Sequence, residues 1–272
     1  MKKHIRHAFP AVCAALLLCG CGYAGPEKAV RNELDLIQKL DEATIRSFVS
    51  YEDILQHTGH PSDINEETIG AVKLFFRDFS YHIDSSSQSS DGLSATVVVS
   101  ITNLDARQLA KDLCMEMYRH STDDDTDDTI DSLSASFSLI RECLETHEYP
   151  QVTTTAVIDL TKTDGSWSIL ESSRLEDELA GGLAGYLADP YLLTPEEILT
   201  MTLEPMLSFS SADWKEYMGV TDIFQTGTDQ AVTLDNLFYD RLSQSYAFEI
   251  SNVTQNGGEA EAEVLITSLD MN

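Results

Sequence analysis

Apolar residues recur at helical spacing soon after the start of the chain. The segment PEKAVRNELDLIQKLDEATIRSF begins at Pro26, and its apolar positions lie mainly three or four residues apart: Val30, Leu34, Ile37, Leu40 and Ile45. A proline followed by an acidic residue suits the first turn of a helix. The pattern predicts a helix from Pro26, and a second helical stretch is predicted over residues 66–78.

Strand patterns follow these helices. SYHID and LSATVVVSIT flank the polar run SSSQSSDG, which predicts a β-hairpin, and residues 106–120 and 129–147 have helical patterns again. QVTTTAVIDLTKTDGSWSIL then predicts two strands joined at Asp164-Gly165, a strong short-hairpin signal. Helices grouped around antiparallel strands predict an α+β fold.

A second segment repeats this order. PEEILTMTLEPMLSFSSADWKEY begins at Pro195, with Thr194 and Glu197 spaced as in a capping box, and a helical stretch follows at 234–242. YAFEIS and EAEAEVLIT predict a hairpin, whose alternating Ala260, Ala262, Val264 and Ile266 are typical of a half-buried strand.

The two copies differ in length. Laid over the first copy, Gly257 falls on Gly92 and Ile266-Thr267 on Ile101-Thr102, but nothing corresponds to residues 106–170. Two interpretations stay open: the second copy is a truncated remnant, or its sheet is completed by the first copy or by another chain.

The first residues are typical of an export signal. Lys2, Lys3 and Arg6 precede an apolar run at 8–18 that is too short to span a bilayer. Leu18, Cys19, Gly20 and Cys21 then resemble the lipobox of bacterial lipoproteins, although Cys19 stands where a small residue such as Ala or Ser is usual. The resemblance implies cleavage after Gly20, acylation of Cys21 and attachment to the extracytoplasmic face of a cell membrane, which we expect to be that of a Gram-positive bacterium. The alternative is an ordinary secretory signal with incidental cysteines.

Charge limits the possible partners. Removing residues 1–20 takes away three of the 17 basic residues and no acid, so the net charge of −29 becomes −32. Such a chain repels phosphate backbones, and nucleic-acid binding is therefore not expected. The lipid bilayer is an expected partner only through acylated Cys21.

Candidate sites are few. After cleavage and acylation of Cys21, Cys114 and Cys143 are the only cysteines left to pair. They could form a disulfide in an exported protein, or remain as two free thiols in helices. Asp123, Asp125 and Asp127 have the spacing that opens a calcium loop, but Asp128 and Ser134 stand where that loop needs Gly and Glu. His57 and His60 could ligate a metal from a loop, yet nothing else supports a site. We predict no metal and no cofactor.

The element order, with its Asp164-Gly165-Ser166-Trp167 ending, resembles the nuclear-transport-factor-2-like, cystatin-related cone fold. Similar modules occur in tandem in bacterial surface lipoproteins.

The resemblance implies a signal at 1–20, a first module at 21–171, a connecting helix at 172–193 and a partial second copy at 194–272. Those modules have no known function, but the lipobox, the duplicated unit and the lack of catalytic motifs predict a non-enzymatic protein that binds a small ligand or an extracytoplasmic protein. The alternative is an acid–base enzyme using a cone cavity, with Tyr81, His82 and Asp84 as candidates. Trp167 and Trp214 are predicted to be core residues.

Overall fold

The computed structural model describes residues 25–40, 66–122, 133–219 and 229–269. The chain divides into two compact units, Met1–Leu192 and Leu193–Asn272, called unit one and unit two. Both contain helices and antiparallel strands, so the predicted α+β class is confirmed. Within the described ranges, no helix is both long and apolar enough to cross a membrane.

Unit one consists of a four-stranded antiparallel sheet and six described helices. The strands pair in the order β1-β2-β3-β4, and they are β1 (Ser80–Gln88), β2 (Ser94–Leu104), β3 (Gln151–Thr163) and β4 (Ser166–Ile169). The helices are α1 (Pro26–Lys39), α2 (Glu66–Phe75), α3 (Ala106–Thr122), α4 (Leu133–Thr146), α5 (Ser173–Leu179) and α6 (Leu183–Ala188).

Alternation along β2 explains how the sheet forms the core of unit one. Val97, Val99 and Ile101 are at most 1% exposed, while the residues between them are only half-buried. Successive strand residues point to opposite faces, so one face of the sheet carries the apolar set. α1 contacts β1, β2 and β4, and its buried Leu34 and Ile37 join the same cluster.

Three hairpins turn at residues with positive φ. Asp164 and Gly165 have φ values of 52° and 84°, as their two-residue turn requires, and this predicted hairpin is confirmed. Gly92 precedes β2 and has a φ of 67°. The strands are longer than predicted: β1 includes Ser85–Gln88 of the polar run, with a bulge between Ile83 and Ser85. The serines of this run do not prevent pairing, because their backbone groups pair with those of β2.

Within the predicted connecting segment 172–193, residues 173–179 and 183–188 form two short helices that belong to unit one. Gly181 and Gly182 have positive φ and end the helical path between α5 and α6. Leu175, Leu179 and Leu183 are at most 1% exposed and lie in the core of unit one. These leucines therefore contribute to the core of unit one.

Unit two contains a second set of elements. They are α7 (Pro195–Leu203), a 3₁₀ helix (Glu204–Ser208), α8 (Ser211–Met218), α9 (Asp229–Ser245), β5 (Ala247–Asn256) and β6 (Glu259–Thr267). The predicted capping box at Thr194 is confirmed. The Thr194 hydroxyl accepts from the Glu197 N–H, and the Glu197 carboxylate accepts from the Thr194 N–H. The predicted opening helix is broken, because Pro205 lacks an N–H and Ser210 caps a new helix.

The core of unit two is small. Trp214, Tyr239 and Leu242 are its buried apolar residues, and Met206, Phe209, Phe238, Tyr246 and Leu269 pack against them. β5 and β6 pair antiparallel, with Gly257 at a φ of 62° in the turn and a bulge between Ser251 and Thr254. Most of the exposed large apolar side chains lie in unit two, although it is the smaller unit.

Candidate binding surface

Several predicted site residues lie outside the described ranges. They are the lipobox residues Leu18, Cys19, Gly20 and Cys21, the histidines His57 and His60, and the aspartates at 123–128. The lipidation and calcium-loop interpretations therefore stay predictions.

The two helical cysteines are described. Both carry thiols in the structure, with Cys114 half-buried and Cys143 buried. Burial raises the pKa of the Cys143 thiol to about 12, and nearby acidic side chains add to the effect. A thiol with so small a thiolate fraction reacts slowly. Whether the two cysteines pair on export stays a prediction.

The structure places Tyr81 apart from the other two predicted acid–base candidates, His82 and Asp84, which both neighbour Ser100. Tyr81 faces α1, where its hydroxyl donates to Asp35 Oδ1 at 2.6 Å. His82 and Asp84 are exposed, and the Asp84 carboxylate accepts from the Ser100 hydroxyl at 2.7 Å. Burial and the Asp35 carboxylate raise the pKa of Tyr81 to about 12. This phenol is therefore a structural hydrogen-bond donor rather than a base at neutral pH.

A second phenol in unit one also has a structural partner. Tyr149 donates to Asp112 Oδ2 at 2.9 Å, and the Gln108 amide donates to Asp112 Oδ1 at 3.0 Å. Asp112 is 7% exposed, so both oxygens of a buried carboxylate are satisfied within the fold. Burial and the Asp112 carboxylate raise the pKa of Tyr149. The arrangement holds α3 to the chain that enters β3.

Glu33 differs from these residues, because it is buried with one oxygen unpartnered. Its residue is 3% exposed, and its Oε2 has no hydrogen-bond partner among the described residues. Burial raises the pKa of Glu33 to about 7, and the negative charge of Glu171 adds to this. Glu33 lies on α1 beside buried apolar residues, so we regard it as a source of pH-dependent stability.

An open cavity of about 340 Å³ lies between α2 and α4. Its polar lining includes Arg141, which contacts Glu67 at 3.1 Å and Glu145 at 2.7 Å. The glutamates already neutralise the only cation of the lining, and they raise its pKa further. The cavity therefore offers a ligand little unsatisfied charge.

Both tryptophans are core residues, as predicted. Trp167 is 3% exposed, with the Lys162 ammonium 5.5 Å from its ring centroid. Trp214 is 5% exposed and makes edge contacts with Phe209 and Tyr217. Each unit thus contains one of the two tryptophans of the chain.

The most unusual surface of unit two is the β5–β6 hairpin. Leu265 and Ile266 of β6 are 64% and 53% exposed, although both are paired with residues of β5. Glu259, Glu261 and Glu263 alternate with small apolar residues, so they share one face of the strand. Leu265 and its cross-strand partner Glu249 lie on that face too.

The outer edge of β6 has no strand beside it in the described part of the chain, because the sheet of unit two consists of β5 and β6 alone. The open edge was predicted from the missing second half of the copy, but the acidic face was not singled out. The alternation EAEAEV indicates this face in the sequence, since every second residue of the run is a glutamate and the residues between are apolar.

No group of three or more metal-ligating side chains occurs among the residues that were searched, which are the described ones. Comparison with protein-family models, with curated proteins and with solved structures finds no match to this chain.

Proposed function

We propose that the chain is an extracytoplasmic lipoprotein, anchored to the cell membrane through acylated Cys21, whose α+β units bind a ligand or protein partner. The single observation that carries the anchor is the lipobox-like run Leu18 to Cys21 behind a basic start and a short apolar stretch. Two acyl chains on one cysteine give stable membrane attachment.

Binding rather than catalysis is the role that the described surfaces favour. The half-buried phenols Tyr81 and Tyr149 donate to structural carboxylates, whereas His82 and Asp84 lie on the exposed face of β1. The β5–β6 hairpin, in contrast, presents apolar side chains and an open strand edge to solvent. Such features are typical of interaction surfaces.

The finer fold assignment belongs to the same proposal. We propose that unit one is a cone-fold module and unit two a partial copy of it. Support comes from the helix–hairpin order of both units and from Gly92 and Gly257, which turn the chain two residues before β2 and β6.

Mass spectrometry of the membrane fraction tests the anchor. We expect a mature N-terminus at Cys21 with the mass of a diacylglycerol thioether. Cys21→Ala should remain uncleaved and unlipidated, whereas the matched variant Cys19→Ser should be processed normally, because residue 19 leaves with the signal. A mature protein without lipid on Cys21 contradicts the proposal.

A further inference from the structure

The two hairpins have matching registers: Ile101 lies opposite Tyr81 in unit one, and Ile266 lies opposite Phe248 in unit two. Gly92 and Gly257 have φ values of 67° and 62°, and the next strand begins two residues later in each case, at Ser94 and Glu259. Position by position, β6 therefore corresponds to β2. The strand that pairs with β2 therefore indicates which kind of strand could pair with the outer edge of β6.

In unit one that edge is occupied. β3 pairs antiparallel along β2, with Thr161 opposite Ser94, Asp159 opposite Thr96 and Val157 opposite Val98. The Thr96 hydroxyl even donates to the Asp159 carboxylate at 3.0 Å. The edge of β2 is thus the place where a long antiparallel strand adds to the hairpin.

At the corresponding positions β6 carries only acids. Glu259, Glu261 and Glu263 replace Ser94, Thr96 and Val98. Like charges directly opposite each other destabilise a strand pair, and opposite charges stabilise it. A strand resembling β3 would place Asp159 against Glu261, which is unfavourable. A strand with Lys or Arg at those positions would form a row of ion pairs.

The other face of β6 selects apolar partners. Ala262 and Val264 are half-buried, and Ile266 is 53% exposed. Their counterparts Val97, Val99 and Ile101 lie opposite Ile158, Ala156 and Thr154 of β3. An added strand would therefore place apolar residues there while its basic residues face the glutamates.

A second copy of this chain is a poor occupant. The chain carries a net charge of −29, and two copies of the hairpin would bring their acidic faces together. We infer that the outer edge of β6 binds an extended basic segment of another protein as an added antiparallel strand with Lys or Arg alternating with apolar residues. The inference names the partner class of the proposed binding role and rests on that role.

The probe is a labelled peptide of residues 151–163 bearing V157K, D159K and T161K, with the unsubstituted β3 peptide as its matched control. Fluorescence anisotropy with the full chain in detergent should show binding of the basic peptide and weakening by salt. We expect the unsubstituted peptide to bind at least about tenfold more weakly, because it sets Asp159 against a glutamate and offers no cation to the other two. Methylation of the peptide's backbone nitrogens should abolish binding, because it removes the ladder donors.

Charge reversal of the strand locates the site. Glu261→Lys with Glu263→Lys should weaken the basic peptide about tenfold or more. Glu142→Lys with Glu148→Lys makes the same change of net charge on exposed positions of unit one and should leave the affinity within about twofold. Trp214 fluorescence in a Trp167→Phe background checks that unit two stays folded.

The outcomes separate the interpretations. Absence of binding by the basic peptide, equal binding of both peptides, or equal binding of the methylated peptide overturns the inference. So does a dimer, seen by sedimentation, whose formation excludes the peptide. An unlipidated Cys21 would contradict the anchor but leave these results unchanged, so the two failures are distinguishable.

Discussion

The β1–β2 and β5–β6 hairpins have the same design and different surroundings. Both contain a bulge in the first strand and a glycine with positive φ before the second. Yet Ile101 is 1% exposed, whereas its counterpart Ile266 is 53% exposed. The difference lies in what covers them: β2 has α1 against it and β3 at its edge, whereas the small β5–β6 sheet has α7 against it and an open edge on β6. A hairpin pattern in the sequence therefore specifies local pairing but not burial.

Unit one also protects the edge that β3 exposes. The Leu170 N–H donates to the Asp159 carbonyl at 2.7 Å, and the Arg174 guanidinium donates to the Val157 carbonyl at 3.3 Å. Unpaired strand edges are sites for unwanted association, and proteins cover them in such ways. On β6 the glutamates are the corresponding protection, because they repel other acidic strands while leaving the backbone accessible.

Truncating the matched isoleucines should give the largest contrast. Ile101→Ala should destabilise unit one by about 2–5 kcal/mol, because a buried side chain is lost and a cavity remains. Ile266→Ala should cost unit two less than about 1 kcal/mol. Denaturant unfolding followed by Trp167 in a Trp214→Phe background, and by Trp214 in a Trp167→Phe background, measures each unit. Equal losses would contradict the difference in burial.

The buried carboxyl of α1 should make unit one sensitive to pH. The pKa of Glu33 is about 7 in the folded chain against an ordinary 4.5. Between pH 4.5 and 7 the folded state therefore keeps Glu33 protonated, while the unfolded state has lost this proton. The free energy of unfolding falls as pH rises through this range. Glu33→Gln should stabilise unit one by about 2 kcal/mol at pH 8 and change little at pH 4.

Unfolding of unit one by denaturant at both pH values measures this effect. The matched control is Glu27→Gln, an exposed position on the same helix, which should not alter the pH profile. A Glu33→Gln variant with the same pH profile as the original chain would show that the carboxyl is solvated.

The two hairpin glycines should be equivalent despite their different surroundings. A Cβ at Gly92 or Gly257 meets no atom within 4 Å, so only the positive φ resists substitution. Gly92→Ala should cost unit one about 1 kcal/mol, and Gly257→Ala should cost unit two a similar amount. Asn tolerates this conformation, so Gly92→Asn should cost less. A cost found in one unit only would show that the turns are not alike.

Replacing the most exposed apolar residue of β6 should have the smallest effect on stability. Leu265→Thr should change the unfolding free energy of unit two by less than about 0.5 kcal/mol. It should nevertheless reduce aggregation at high salt, measured by light scattering, because it removes an apolar residue beside an open edge. Leu93→Thr removes a residue of similar exposure from a turn of unit one. An equal reduction with that control would make the edge irrelevant.

Local signals predicted local structure well. The capping box at Thr194 and the turn at Asp164-Gly165 formed as expected, because their hydrogen bonds and φ angles depend on a few adjacent residues. Element lengths were less predictable. Residues 254–256 are polar but belong to β5, since β6 satisfies their backbone groups whatever their side chains.

Features that depend on distant packing could not be predicted. Glu33 occupies an ordinary helix position in the sequence, and its burial arises from the sheet and the chain after β4 that lie against α1. The carboxylate network at Asp112 likewise joins residues 37 positions apart. The acidic face of β6 was visible in the sequence, but its meaning required the comparison with β2, whose partner strand shows what the edge accepts.

The long connection inside unit one also has a consequence for the order of folding. The closest paired residues of β2 and β3 are Leu104 and Gln151, with α3 and α4 between them, whereas β5 and β6 are joined by a two-residue turn. Closing a long loop costs more chain entropy and slows the search for the contact. The hairpin of unit two should therefore form before the sheet of unit one is complete, so its open edge exists while unit one still exposes unpaired strands. During that interval the glutamates of β6 disfavour pairing with an acidic strand such as β3, which carries Asp159.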